Sequence, residues 1–306
     1  MPLPTPHAAA LARHSVRERE VVVLGSTTRV WDYGPEDAAD VVVLVHGYRG
    51  DHHGLEPVVA ELDGIRIISP DLPGFGVSTP MTDAPHSVEG YARWLGEFIA
   101  QSGLAAPPVV LGHSFGSMVA SAALANGVDA RALVLVNPIS TRATEATGPV
   151  LMALTRFFYS VSRVMPERMA RAWLGSRTIV RFMTGTLATT SDRTLRRWIL
   201  EEHLRYFSGF SDSRTVAEGF RASISTEVGA FAPRISVPTL LIAGDADSIA
   251  PAAGQHRVVG LYPDARLVMI PGVGHLAHYE TPGAVADALR GFLAEHPHEP
   301  RTGAAS

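Results

Sequence analysis

Apolar residues repeat along this chain with two periods. Short unbroken runs rich in β-branched side chains occur at 41–45, 65–68, 109–111, 132–136, 239–243 and 266–270, the pattern of strands covered on both faces. Two earlier runs, 20–24 and 28–33, are separated by Gly25-Ser26 and predict a pair of strands joined by a turn. Between the later runs lie stretches with helical spacing at 55–62, 88–102, 115–126, 252–261 and 282–294. Strands alternating with helices of this length predict an open α/β sheet, largely parallel.

The alternation breaks once. From 139 to 234 no run reads as a buried strand, while 150–165, 166–174 and 191–207 read as helices. A structureless loop of that length is improbable in a compact domain, so the interval is predicted to be a helical insertion on the sheet domain. The expected organisation is a first core part at 1–138, the insertion at 139–234 and a second core part at 235–306. A short polar tail at 295–306 is expected to fray.

Composition narrows the chemistry. With 46% apolar and 18% charged side chains over 306 residues, disorder is excluded. All 26 basic residues are Arg and none is Lys, which removes Schiff bases and the phosphate-binding lysine of a P-loop. The chain has 0 Cys, which removes disulfides, thiol catalysis, iron–sulfur clusters and Cys-ligated zinc. Against 30 Asp and Glu the balance is −4, which offers no global field for nucleic acid. That charge is uneven: 139–234 holds 14 Arg against 8 acids, +6, leaving −10 for the remainder. Most of these Arg are expected on solvated faces. The N-terminal stretch lacks a secretory apolar region and no segment approaches the roughly 20 apolar residues of a membrane span, so a soluble cytoplasmic protein without membrane insertion is expected.

Among the remaining candidates the strongest local signal is Gly112-His113-Ser114-Phe115-Gly116, between an apolar run and a helical stretch. Gly-x-Ser-x-Gly in that context describes a nucleophile elbow, where small residues two before and two after the serine let strand and helix pass closely. A serine hydroxyl needs a base, and the base needs a third group to fix its tautomer. Gly244-Asp245-Ala246-Asp247 follows one later run and Pro271-Gly272-Val273-Gly274-His275 follows the next, giving the order Ser114, Asp247, His275. Asp247 is preferred to Asp245, because the nearer aspartate is better placed to cap the turn. His46-Gly47-Tyr48-Arg49-Gly50 follows the run at 41–45, and its Gly47 permits a turn that points the Tyr48 N–H inward to pair with that of Phe115 as an oxyanion hole. His52, His53, His113 and His278 are read as ordinary surface or core residues. No His-x₃-His with a carboxylate stands out, and adjacent His52-His53 cannot both face one metal from a regular helix, so no metal or other cofactor is expected.

Taken together, His46-Gly47, the segment Asp71-Leu72-Pro73-Gly74-Phe75-Gly76-Val77-Ser78, Gly112 to Gly116, Asp247 and Gly274-His275 resemble the α/β-hydrolase superfamily over nearly the whole chain. The resemblance implies a mostly parallel eight-stranded sheet flanked by helices, with a helical cap inserted after the sixth strand. It also implies Ser114 as nucleophile, His275 as base and Asp247 as its orienter. Epoxide hydrolases and haloalkane dehalogenases that resemble this chain carry Asp where Ser114 stands, and Gly47-Tyr48-Arg49 departs from the loop of prolyl aminopeptidases. Carbon–carbon hydrolases of the superfamily usually show a Ser-Met-Gly-Gly elbow, whereas here it is Ser114-Phe115-Gly116-Ser117.

The expected activity is therefore hydrolysis of a small to medium hydrophobic ester by a cofactor-free serine enzyme. A carbon–carbon hydrolase of ring-cleavage dienones and a noncatalytic ligand-binding protein on the same fold are the alternatives. Phe157, Trp173, Trp198 and Tyr206 in the insertion are candidates to line the acyl pocket. Oligomeric state is not legible in the sequence.

Overall fold

The computed structural model describes residues 5–142, 145 and 148–298. Of the tail expected to fray, 299–306 lies outside the described residues.

Eight strands form one sheet in the order β1-β2-β4-β3-β5-β6-β7-β8. They are β1 (Val16–Val23), β2 (Ser26–Tyr33), β3 (Val41–Val45), β4 (Arg66–Pro70), β5 (Val109–His113), β6 (Ala132–Val136), β7 (Thr239–Gly244) and β8 (Ala265–Ile270). Strand β2 pairs antiparallel with β1 and β4, and every pairing from β4 to β8 is parallel. The central strands β3, β5, β6 and β7 are almost wholly buried, as their unbroken Val and Leu runs require. By contrast β1 is an edge strand whose sequence VREREVVV alternates in exposure, and its Glu18 and Glu20 both pair with Arg29 of β2. The hairpin turn falls one residue before the expected Gly25-Ser26. Leu24 and Gly25 carry it, both with positive φ, 49° and 74°, as a two-residue hairpin of matching twist demands.

Helices cover both faces. One face packs against α1 (Val88–Gln101) and α2 (Phe115–Ala125), with Trp94, Phe98 and Met118 in its core. The other packs against the C-terminal helix (Pro282–Glu295) and a short one at Glu56–Val59, with Leu55, Val59, Leu289 and Phe292. The helix expected at 55–62 is a 3₁₀ turn, His52–Leu55, running into that short helix.

Between β6 and β7 the described residues form five further α-helices, α3 (Pro149–Ser162), α4 (Glu167–Leu174), α5 (Arg177–Leu187), α6 (Arg193–Tyr206) and α7 (Ser213–Ser223). Two of them, α5 and α7, were not among the expected helices. The α5 sequence RTIVRFMTGTL is crowded with Thr, Ile, Val and Gly, weak helix formers that packing overrides. The start of α7 did carry a signal, since Asp212 accepts from the Thr215 N–H as an N-cap.

Backbone contacts tie these helices to the sheet. Phe75, in the loop after β4, forms a β-bridge with Phe210; the Gly76 N–H donates to Gly209 at 2.9 Å and the Ser211 N–H to Gly74 at 3.0 Å. Among the described residues no helix is long and apolar enough to cross a membrane.

Candidate active site

In a parallel sheet all carboxyl ends point to one edge, and here the ends of β5, β6, β7 and β8 deliver the site. Ser114 follows β5 with φ 52° and ψ −117°, a conformation outside the ordinary wells of L-residues and costing about 1–3 kcal/mol. Flanking glycines make the turn possible. A Cβ on Gly116 would lie 2.0 Å from the Val45 carbonyl oxygen, and one on Gly112 would lie 2.4 Å from that of Gly116. Any larger residue at either position would push the helix off the sheet.

The strained turn leaves Ser114 half-buried with its hydroxyl free of the helix it precedes. Ser114 Oγ lies 2.8 Å from His275 Nε2, and His275 Nδ1 lies 2.7 Å from Asp247 Oδ2. Asp247 is buried, and its other oxygen accepts the N–H groups of Ile249 at 2.8 Å and Ala250 at 3.0 Å. Burial alone would push the Asp247 carboxyl up; the His275 ring and these two amides outweigh it and hold the group below its usual pKa. Asp245 does something different, accepting from the Gly272 N–H at 2.6 Å and closing the turn before His275.

One side chain of this constellation was not foreseen. Asn137, at the end of β6, is fully buried with φ 44°; its amide donates to Asp247 Oδ2 at 3.1 Å and to the Gly274 carbonyl at 3.0 Å. It braces the carboxylate and the residue before the histidine from one rigid strand end. The only advance signal was an Asn closing a strand before Pro138, since Asn adopts positive φ more readily than most residues.

The turn after β3 sits against the elbow. A Cβ on Gly47 would lie 3.3 Å from Ser114 Cβ, so the absence of one lets the two turns touch. His46 holds the turn from within: its Nδ1 lies 2.8 Å from the Gly47 carbonyl, and its Nε2 accepts the Leu72 N–H at 2.8 Å. The Tyr48 and Phe115 N–H groups donate to no backbone acceptor among the described residues. The Tyr48 ring extends into the seam with the helices, donating its hydroxyl to the Val216 carbonyl at 2.8 Å and packing edge-on to Phe75 and Tyr159.

Next to it Arg49 is buried at 1% exposure with φ 62°. Its guanidinium donates to the Leu174 carbonyl at 2.9 Å and the Phe207 carbonyl at 3.1 Å, and lies over the Phe207 ring. Those carbonyls close α4 and α6, where helix dipoles favour a cation. One charge thus pins the turn after β3 to the ends of two helices.

The four expected pocket residues scatter. Phe157 is 66% exposed and faces solvent, and Trp173 is partly exposed and stacks on Phe158. Trp198 is buried against Tyr279, and Tyr206 stacks on His53. The aromatic side chains that meet Tyr48 are Phe75, Tyr159 and Phe220.

Two of the ordinary histidines form a buried group with His275. His113 lies 3.9 Å, ring to ring, from His278, and burial lowers its pKa to about 3, with the His275 ring adding to the effect. His52 and His53 lie on a 3₁₀ turn, not on the regular helix for which convergence is excluded, and there they and Asp51 bring ligand-type atoms within 4.8 Å of one another. A hydrogen bond from His52 to Asp71 at 2.9 Å, and stacking on Trp31 and Tyr206, account for that arrangement.

A family model described as "Alpha/beta hydrolase family" matches residues 42–288, which run from β3 into the C-terminal helix. Lipase 1 of Psychrobacter immobilis is 25% identical over 273 residues, covering 83% of this chain and 77% of that protein. Pimeloyl-[acyl-carrier protein] methyl ester esterase of Xanthomonas oryzae pv. oryzae is 28% identical over 265 residues, covering 84% of this chain and 96% of that one. The structure of a thermophilic esterase from Thermogutta terrifontis superposes with a TM-score of 0.73 at 24% identity, covering 92% of this chain and all of that one, a likeness of fold. With the family model spanning the strand ends that carry the elbow, Asp247 and His275, the chain belongs to the α/β hydrolase family.

Proposed function

We propose that the protein is a serine hydrolase that cleaves a small to medium hydrophobic carboxylic ester through an acyl-enzyme at Ser114. The observation that carries this reading is the continuous relay from Ser114 Oγ to His275 Nε2, 2.8 Å, and from His275 Nδ1 to Asp247 Oδ2, 2.7 Å. His275 takes the serine proton as Oγ attacks the ester carbonyl, and Asp247 holds the ring in the tautomer that makes Nε2 the acceptor. The low pKa of Asp247 keeps it ionised, so it stabilises the imidazolium that forms. The N–H groups of Tyr48 and Phe115 receive the negative oxygen of the tetrahedral intermediate.

Collapse of that intermediate expels the alcohol, which leaves with the proton held by His275. Water then attacks the acyl-enzyme, giving a proton to His275, and the carboxylic acid departs as Ser114 recovers its own. In this reading the helices between β6 and β7 are a cap, and Phe75, Tyr159 and Phe220 form the apolar wall beside the oxyanion site. Ester cleavage is also the activity that the names of the lipase and the methyl ester esterase state for those proteins.

Labelling with a fluorophosphonate tests the reading directly. One equivalent should attach to the wild-type protein and none to Ser114→Ala or His275→Ala. Undiminished labelling of Ser114→Ala would overturn it. A series of p-nitrophenyl esters from acetyl to octanoyl then measures the depth of the acyl pocket.

A further inference from the structure

Behind the aromatic wall lies a cavity of about 490 Å³ that the proposed reaction does not use. Its floor is apolar, formed by Tyr159, Phe220 and Ile224, and three arginines stand around it, Arg142, Arg156 and Arg221. They come from three separate places: the segment after β6, helix α3 and helix α7. Among the described residues none of the three forms an ion pair, whereas neighbouring arginines do. Arg171 pairs with Glu167 at 3.0 Å, Arg214 with Glu218 at 2.8 Å, and Arg257 with Glu227 at 2.6 Å. Glu227 feels the charge of Arg142, but its hydrogen bond goes to Arg257. Among the described residues no carboxylate belongs to the cavity lining, though Arg221 also borders a neighbouring cavity that Asp212 and Glu218 line.

Three exposed arginines bordering an open volume of small-molecule size, with aromatic side chains beside them, make a receptor for a particular chemistry. Each guanidinium offers a planar fork that matches a carboxylate or a phosphate, and the floor accepts a short hydrocarbon chain. The floor also adjoins the proposed oxyanion site. Tyr159 and Phe220 stack at 4.0 Å, and both rings pack against Tyr48, at 6.1 Å and 6.3 Å.

We infer that this cavity binds the anionic end of an amphiphilic ligand, a carboxylate or phosphate monoester carried on a short apolar chain. That the ligand is the ester itself, with its anionic end distal to the scissile bond, rests on the esterase reading above.

Calorimetric titration of Ser114→Ala protein with hexyl phosphate, hexanoate and hexanol tests the cavity without turnover. At least one of the two anions should bind, at least tenfold more tightly than hexanol, and its affinity should fall as salt rises. The tighter of the two identifies the head group. Adding R142Q, R156Q and R221Q together should weaken the anion at least tenfold, and R156Q with R221Q should give an intermediate loss. Circular dichroism melts establish that both variants are folded. Equal binding of anions and hexanol, or anion affinity within twofold in the folded triple variant, would overturn the proposal. In the Ser114 background, the ratio of kcat/KM for methyl hydrogen adipate over methyl hexanoate should fall tenfold in the triple variant. A protein that binds the anions but hydrolyses neither ester would refute the esterase reading and leave the cavity assignment standing. Hydrolysis of both with no change in the ratio would refute the link between cavity and substrate.

Discussion

The sheet and the helices between β6 and β7 are built on opposite principles. At the sheet edge the candidate site is placed by backbone: Ser114 and Asn137 stand at strand ends with positive φ, and glycine hydrogens face carbonyls at distances no side chain tolerates. The helices present side chains instead. Six of the eleven exposed large apolar residues among those described lie on 154–182, and residues 139–234 carry +6 against −10 elsewhere. The sheet thus fixes geometry through its backbone, and the helical segment offers a side-chain surface. The two share an apolar core, and their polar and backbone contacts include Arg49 and the Phe75–Phe210 bridge.

The sharpest way to break this contrast is at Ser114. Ser114→Ala should lower kcat/KM on a p-nitrophenyl ester by about 10⁴ or more while the thermal midpoint stays the same or rises, since the strained turn no longer holds a polar side chain. Phe220→Ala, in the helical segment, should chiefly raise KM. Equal losses from both would mean that the division between geometry and recognition is wrong.

Arg49 tests the seam itself. Each of its two charge-assisted bonds to a carbonyl contributes about 1.5–3 kcal/mol. Arg49→Met keeps the apolar stem and should cost about 3 kcal/mol, lowering the thermal midpoint by roughly 5 °C. An unchanged midpoint would show that the helices are held by their apolar contacts alone.

What the sequence made legible divides along the same line. The strand positions along the chain and the turns that bring Ser114, Asp247 and His275 together could be read because each rests on a local pattern: an apolar run, then glycines at fixed offsets. Arg49 and Asn137 could not be read in the same way. Arg49 bonds to a carbonyl 158 positions away and is chemically identical to the solvated arginines around it. Asn137 meets Asp247 across 110 positions. The sequence of 139–234 predicts helices but not each one, because α5 and α7 hold together through tertiary packing that propensity does not report. For the same reason the exposed Phe157 and the buried Phe220 look alike in one dimension.

Asn137 is a positioning residue, so its effect should be smaller and should fall on kcat. Asn137→Ala removes one donor to an ionised carboxylate, a loss of about 1.5–3 kcal/mol and hence about 10- to 100-fold in kcat, with KM within about threefold. A loss confined to KM would place Asn137 in substrate binding instead.

The smallest expected effect concerns pH and the buried histidines at the seam. Burial lowers His203 to about 4 and His113 to about 3, and holds His278 well below its ordinary value. Thr184 gives its hydroxyl proton to the Val180 carbonyl, so His203 Nδ1 must carry the proton of the 2.8 Å bond between them, and Nε2 is the site of any further protonation. The sign follows from proton counting: below the unfolded pKa of about 6.5 the unfolded chain binds protons that these rings refuse, so the folded state loses stability as pH falls. Each such histidine contributes about 1.4 kcal/mol per pH unit between about pH 6 and its folded pKa, with full stability kept above about pH 7. His203→Gln retains a donor for Thr184 but cannot titrate. Urea melts between pH 6 and pH 5 should therefore show a slope shallower than that of the wild type by about that amount. Coincident slopes would mean that His203 takes up a proton in the folded state, and that the seam is wetter than its packing implies.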